Sequence, residues 1–347
     1  MQTRSTMMDV AKLANVSIQT VSAVINDKPG ITDRTRVRVR EAVTQLDYHP
    51  NFLASNLRAQ RSFTIGVVIP SITNPFFPEF VRGIEDVAQQ HGYSLFLCNS
   101  DDVEQKEISY LQLLRKHRIA GLIAAFQPSE PDGRKALQSF LAHRVPVVLL
   151  GALQPDERIV NLAIDDEHGT YLATSHLLEL GHRRIGMIKP PAGDEVGKNR
   201  TVGFLKAHRI RSIPVDAELL VPGGFDVSDG QRGIVALMGL RNPPTAIVAA
   251  NDLVAIGALH ALSHLNKRVP EDVAVVGYDN IRMAELFNPG ITTIAQPLYR
   301  MGETAMEAVL ARINDRTLGG ETIKFETNLI VRTSSAGTRD FLPAKQK

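Results

Sequence analysis

A small all-α domain joined to a larger α/β body of two doubly wound parallel-sheet lobes is the architecture that three features of this 347-residue sequence predict. The first is charge. Residues 1–61 carry nine Lys and Arg against five Asp and Glu, a net of +4, whereas the remainder carries 30 bases and 32 acids. A basic head on a nearly neutral body expects something anionic at the head. The second is three short helical patterns packed into residues 8–46, and the third is a strand-then-helix alternation from Thr64 onward that recurs after residue 160.

Composition narrows the class. With 44% apolar residues and a mean hydropathy of −0.06, the chain reads as an ordinary globular protein with a sizeable core. One cysteine, Cys98, excludes a disulfide framework and a cysteine-based zinc cluster, and reads as a small buried hydrophobe in a reducing compartment. Residues 1–9 lack the apolar core of a secretory signal. The longest run of apolar, Pro and Gly residues, 145–153, is nine residues, a length for a buried strand and not for a membrane span. The expectation is a cytoplasmic protein with no membrane partner.

In the head, Asp9 stands at the start of a first helix whose buried stripe is Val10, Leu13 and Ala14. Asn15-Val16-Ser17 breaks it, and Ser17 caps a second helix over 18–26 with Val21, Val24 and Ile25 inward. Asp27-Lys28-Pro29-Gly30 stops that helix. Thr32 caps a third, through Leu46, with Val39, Ala42 and Val43 on one side, and Tyr48-His49-Pro50 ends it. Two helices joined by a three-residue turn, with a third across them, form a helix-turn-helix, whose second helix enters the major groove. Opposite its apolar stripe that helix carries Ile18, Gln19, Ser22, Ala23 and Asn26. Gln19 suits adenine N6/N7 and Ile18 a thymine methyl, while Thr20 and Ser22 suit phosphates.

In the body, strands are expected at 64–69, 94–98, 121–125, 145–150 and 160–164, with helices at 76–91, 103–117 and 132–143 between them. The second half repeats the pattern with strands at 184–188, 246–250 and 273–278 and helices at 167–180, 197–208, 228–240 and 253–265. Ligands of such sheets bind beyond the carboxyl ends of the strands. The first strand runs into Pro70-Ser71-Ile72-Thr73 without a pyrophosphate-binding glycine fingerprint, and no P-loop, HExxH or G-x-S-x-G motif occurs, so no enzyme and no cofactor is implied. His260 and His264 fall i, i+4 on one helix but lack an adjacent carboxylate or third ligand. They read as a surface or interface pair, and no metal is implied. Asp101-Asp102 and Asp165-Asp166, at strand ends, read as helix caps.

The strand ends instead carry hydrogen-bonding and aromatic groups: Asn74, Phe76 and Phe77 in the first lobe; Arg200, Phe225, Asn251, Asp252, Asp279 and Gln296 in the second. Aromatic faces with planar polar groups at the rim suit a polyhydroxylated ring.

The segment from Asp9 to Asn26, DVAKLANVSIQTVSAVIN, resembles the helix-turn-helix of the LacI/GalR family of bacterial transcriptional regulators, and the likeness continues through Tyr48-His49-Pro50-Asn51. Phe52-Leu53-Ala54-Ser55-Asn56-Leu57-Arg58 is similar to that family's hinge segment. The resemblance implies that Ser17, Asn51, Ala54, Leu57 and Arg58 join the reading helix on DNA, with Leu57 wedged into a minor-groove base step. The body resembles the family's effector domain, a type I periplasmic-binding-protein-like fold, with Asn74, Phe76, Phe77, Arg200, Phe225, Asn251, Asp279 and Gln296 at sugar-contacting positions. The likeness extends from Asp9 to about Ser335. Three departures stand out: Ser55 stands where the family's hinge usually has Arg, Ala23 replaces a base-reading Arg or His, and Gly151-Ala152 replaces an Asp-Arg clamp on ring hydroxyls.

The resemblance implies a homodimeric, allosteric repressor of carbohydrate-related genes that binds a pseudo-palindromic operator and takes a small sugar-like effector between the lobes. Its expected divisions are residues 1–50 for the DNA-binding head, 51–61 for the hinge and 62–347 for effector binding and dimerisation. The first lobe, around Phe80 to Ala88, is the candidate dimer surface, and residues 338–347 show no heptad repeat for a tetramer. Other readings are a transport-type sugar-binding protein, or a regulator answering to a nucleobase or a partner protein.

Overall fold

The computed structural model describes residues 5–25, 27–48, 62–126, 131–151, 156–191 and 195–336, and the chain divides into two compact units, Met1–Ser62 and Phe63–Lys347. In the first unit, α1 (Met7–Leu13), α2 (Ile18–Ile25) and α3 (Asp33–Gln45) surround Val10, Val21, Val24, Val39, Ala42 and Tyr48. Helix α1 begins two residues before Asp9. Thr6 is its cap, and Asp9 closes a capping box by accepting from the Thr6 backbone N–H at 2.8 Å. Ser17 caps α2 as expected, its Oγ accepting from Thr20 N at 3.1 Å. Thr32 precedes α3, but its hydroxyl pairs with Thr35 Oγ1 at 3.0 Å in place of a backbone N–H. Arg36 ties the turn after α2 onto α3, reaching Asp27 at 2.7 Å and Lys28 O at 2.5 Å.

The body follows the expected alternation with boundaries shifted by one or two residues. Its elements are β1 (Thr64–Ile69), α4 (Phe76–Gln90), β2 (Ser94–Asn99), α5 (Glu104–Lys116), β3 (Gly121–Ala124), α6 (Pro131–Ala142), β4 (Val147–Leu150), β5 (Ile159–Ile164) and α7 (Asp166–Glu179). Next come β6 (Ile185–Ile188), α8 (Glu195–Ile210), β7 (Leu220–Val221), α9 (Val227–Met238), β8 (Ala246–Ala249), α10 (Asp252–His264), β9 (Ala274–Asp279) and α11 (Arg282–Leu286). The chain closes with β10 (Thr292–Ala295), α12 (Leu298–Asn314), β11 (Thr322–Phe325) and β12 (Asn328–Ile330).

Two six-stranded sheets result, in the orders β11-β5-β4-β3-β1-β2 and β12-β10-β9-β8-β6-β7. Their pairings are parallel except for β12 against β10. Both faces are covered, which is why the strands read as unbroken apolar runs. In the first sheet Ile65, Val67 and Ile69 face α4 and α12, and Val68, Leu122 and Ala124 face α5 and α6. In the second, Ile247 and Ala249 face α9 and α10, while Val248 and Val276 face α7 and α8. Cys98 is buried as expected, and burial pushes its thiol up to about 11.

The lobes are not consecutive halves of the chain. After β10 the chain returns to the first lobe for α12 and β11, then goes back to the second for β12, so three crossovers join the lobes. The returning helix α12 packs on the inner face of α4, whose outer face, with Glu79 and Arg82, stays exposed. Phe80, Ile84, Val87 and Ala88 on α4 are buried with Met301, Ala305 and Val309 of α12. The helices approach so closely that a Cβ on Gly302 would lie 2.0 Å from Phe80 O, and one on Gly83 2.1 Å from Tyr299 O. Backbone against backbone cannot yield as a side chain can. Gly302→Ala is therefore expected to cost at least the ~1–3 kcal/mol of ordinary overpacking, read as a lower urea midpoint with unchanged slope.

Candidate DNA-reading face and effector site

On α2, Val21 and Val24 are buried, while Ile18 is 40% exposed and Gln19 is exposed beside it. Ser22 and Ala23 are half-buried. Ser17 and Thr20 are partners of each other, their hydroxyls 2.9 Å apart, which places Ser17 in the cap. Arg34, Arg38 and Arg40 line the exposed side of α3. Asn26, Asn51, Ala54, Leu57 and Arg58 lie outside the described residues.

In the body, the expected ligand residues fall in three groups, all beyond strand carboxyl ends. The first is a buried charge cluster. Arg200 on α8 is 5% exposed. Its Nε donates to Asp166 Oδ1 at 2.8 Å, its Nη1 to Ala250 O at 2.5 Å, and its Cζ sits 3.7 Å over the Tyr278 ring. Asp279, the last residue of β9, lies 3.8 Å from Arg200 Nη2 and accepts from Gln296 Nε2 at 2.7 Å. Gln296 Oε1 is buried with no partner. A buried acceptor left unsatisfied is costly, and this one stands beside a carboxylate and a guanidinium where a ligand donor would satisfy it.

The second group is Asn251 with Phe225. Asn251 caps α10 through Oδ1, which accepts from Val254 N at 2.9 Å, and its Nδ2 donates to Phe225 O at 3.0 Å. Phe225 is half-buried against the core between β8 and α10. Asn251 thus fixes the loop that carries the aromatic ring. Beside it, Asp252 is fully buried, accepting from Thr293 Oγ1 at 2.6 Å and Ile281 N at 2.8 Å.

The third group is in the first lobe. Asn74 Oδ1 accepts from Phe76 N at 3.1 Å and starts α4. Phe76 is 8% exposed and belongs to the core; Phe77, edge-on to it at 4.9 Å between centroids, is the more open of the two rings. Gly151, where a carboxylate clamp was expected to be absent, has φ +74, a conformation glycine takes freely.

Two members of the cluster were not expected. Asp165 is the cap it was read to be, accepting from His168 N at 2.9 Å, but its neighbour Asp166 is the buried partner of Arg200. Tyr278 supplies the ring beneath the guanidinium. A signal existed: an arginine destined for burial requires carboxylates and benefits from an aromatic face, and Asp166 and Tyr278 both adjoin strand ends.

Burial lowers the tendency of Arg200 to hold its proton, yet Asp166, Tyr278 and Asp279 around it more than reverse that and raise its pKa. Burial pushes Asp279 up to about 7, with Arg200 opposing, and pushes Asp252 well above the carboxylate range. The folded protein therefore holds a proton on Asp279 between about pH 4 and 7 that the unfolded chain releases. Stability from this group is full below pH 4 and is lost as pH rises through 7, with a slope of about 1.4 kcal/mol per pH unit at most. Urea unfolding across that range should show Asp279→Asn losing less stability than the wild type as pH rises.

A head with an outward polar reading helix and a body with a polar, partly unsatisfied site beyond its strand ends define a DNA-binding regulator on a periplasmic-binding-protein-like scaffold. Comparison agrees. Residues 6–51 match the bacterial regulatory proteins of the lacI family, and residues 174–335 match the periplasmic binding protein-like domain. The chain is 35% identical over 333 residues to the HTH-type transcriptional repressor PurR of Mannheimia succiniciproducens, covering 95% of this chain and 98% of that one. It superposes on the Lac repressor dimer bound to operator and the anti-inducer ONPF with a TM-score of 0.85 at 27% identity, over 96% and 99% of the two chains. The LacI family transcriptional regulator from Enterococcus faecium with bound ribose matches at 32% identity and a TM-score of 0.72, over 79% and 99%. The chain belongs to the lacI family and is a DNA-binding transcriptional repressor. Its relatives are repressors, not enzymes. Among the described residues no helix is long and apolar enough to cross a membrane.

Proposed function

We propose that this repressor binds a two-fold related operator as a dimer in the cytoplasm, and that a small ring compound held by Arg200, Asp279 and Gln296 sets its affinity for that operator. The observation that carries the reading is the buried, unpartnered Gln296 Oε1 beside Asp279 and Arg200. Such a cluster asks for a ligand with adjoining donors and acceptors. A purine base meets that need, because its ring edge alternates the two, and Asp279 near neutrality can serve as either partner. Likeness to repressors named PurR supports the same class. A sugar is the second reading, favoured by the open Phe77 ring and by the ribose-bound regulator. Phe225, Asn251 and Asn74 complete the proposed site, with Phe76 edge-on to Phe77 from the core side.

Thermal unfolding of the full chain with purine bases and with mono- and disaccharides tests this. A ligand at 100 times its Kd should add about 2.7 kcal/mol, and Arg200→Ala should remove the effect. Stabilisation by sugars alone would transfer the effector to the second class, and a shift that persists in Arg200→Ala would place the effector elsewhere.

On DNA, Ile18, Gln19, Ser22 and Ala23 are assigned to base edges and Thr20 to phosphate, with Leu57 as the minor-groove wedge and Arg58 on the backbone. Operators selected from a random pool by Gln19→Ala should differ from the wild-type set at one base pair in each half-site, a loss of about 1–3 kcal/mol of discrimination. An identical consensus would remove Gln19 from the readers.

A further inference from the structure

Away from the effector cluster, the second lobe brings two imidazoles together on the surface of α10. His260 and His264 are one turn apart, both exposed, with their Nε2 atoms 3.2 Å from each other and their rings tilted by 73°. Two nitrogens bound at about 2.0–2.1 Å to one tetrahedral zinc lie roughly 3.3 Å apart, so the spacing is that of a chelating pair. The neighbouring helix supplies the support such ligands need. Gln231 on α9 holds its side-chain amide 3.0 Å from His260 Nδ1. It reaches because α9 and α10 are in backbone contact, a Cβ on Gly230 falling 2.0 Å from Val254 O and one on Gly257 1.9 Å from Val227 O. With the amide turned so that its oxygen accepts Nδ1–H, His260 takes the tautomer whose Nε2 is an acceptor, and a cation between the rings would displace the hydrogen that His264 Nε2 donates to it.

We propose that His260 and His264 form a two-histidine site for a borderline divalent cation, with zinc the best fit. Among the described residues no cluster of three His, Cys, Asp or Glu surrounds a common point, so water completes the coordination and the site is open. A bound ion joins consecutive turns at the carboxyl end of α10, the helix whose first turn carries Asn251 and Asp252. The site stands on the geometry of α9 and α10 alone and is independent of which effector the cleft takes.

The test is a zinc titration of the full chain against a chromophoric chelator, using zinc chloride alone. The wild type should take up one zinc more tightly, by tenfold or more, than either His260→Gln or His264→Gln. His143→Gln, which removes a different exposed histidine, should leave uptake unchanged. Gln231→Ala, which keeps both ligands and loses only the support, should weaken binding by a smaller factor than either ligand change. No uptake by the wild type, or uptake that survives in both histidine variants, overturns the proposal.

Discussion

Arg200→Ala should uncouple the repressor: operator affinity without effector stays near wild type, while effector no longer changes it at concentrations that saturate the wild type. The same change should cost the second lobe about 3–5 kcal/mol, since it strands Asp166 and leaves Asp279 and Gln296 without their cationic neighbour inside the fold. The two effects are separable. Replacing both members of the tighter pair, Arg200→Met with Asp166→Asn, removes the stranded charge and should recover much of the lost stability while the response stays absent. Operator titrations with and without effector, beside urea unfolding of both variants, read the two quantities independently. A double variant that regains stability and also responds would remove Arg200 from the effector site.

The second large effect concerns the head. A chain of residues 62–347 keeps the compact second unit that begins at Phe63 and should bind effector as the whole protein does. Its affinity for the selected operator should fall about 1,000-fold or more, and the steep salt dependence of the intact chain should vanish with it, because the phosphate-facing bases are gone. Fluorescence anisotropy at two salt concentrations measures both. Specific operator binding by residues 62–347 would contradict the assignment of the outward face of α2.

Local patterns made most of the fold legible. Strand β1 and helix α4 could be placed from sequence because each apolar run is bounded by Pro, Gly or a polar turn, and the βα alternation repeats the signal. Helix α12 was not, for a physical reason. Leu298, Met301, Ala305, Met306, Ala308 and Val309 are all buried against α4 and the first sheet, partners that the whole second lobe separates from them in the chain. The return of β11 to β5 depends on contacts such as Asn161 N to Glu321 O, 160 positions apart in the chain, and no local periodicity announces it. In the site, Arg200, Asp279 and Gln296 were readable as polar groups beyond strand ends. Asp166 was hidden because its neighbour Asp165 has the same side chain and performs the commoner task of capping a helix. Tyr278 looked like any aromatic in a buried strand. Phe76, expected at the ligand, spends its ring on the core, whereas Phe77 beside it is half-buried.

In the proposed mechanism one equilibrium links the operator-bound head to the ligand at Arg200 and Asp279. Linkage requires reciprocity: the factor by which effector changes operator affinity must equal the factor by which operator changes effector affinity. Effector titration of the full chain, with and without saturating operator duplex, measures the second factor, and operator titration with and without effector measures the first. The two factors should be equal, at about 5–150-fold, and both should fall to one in Arg200→Ala. An effector Kd that operator leaves unchanged, while effector still alters operator binding at the same concentrations, would contradict the linkage.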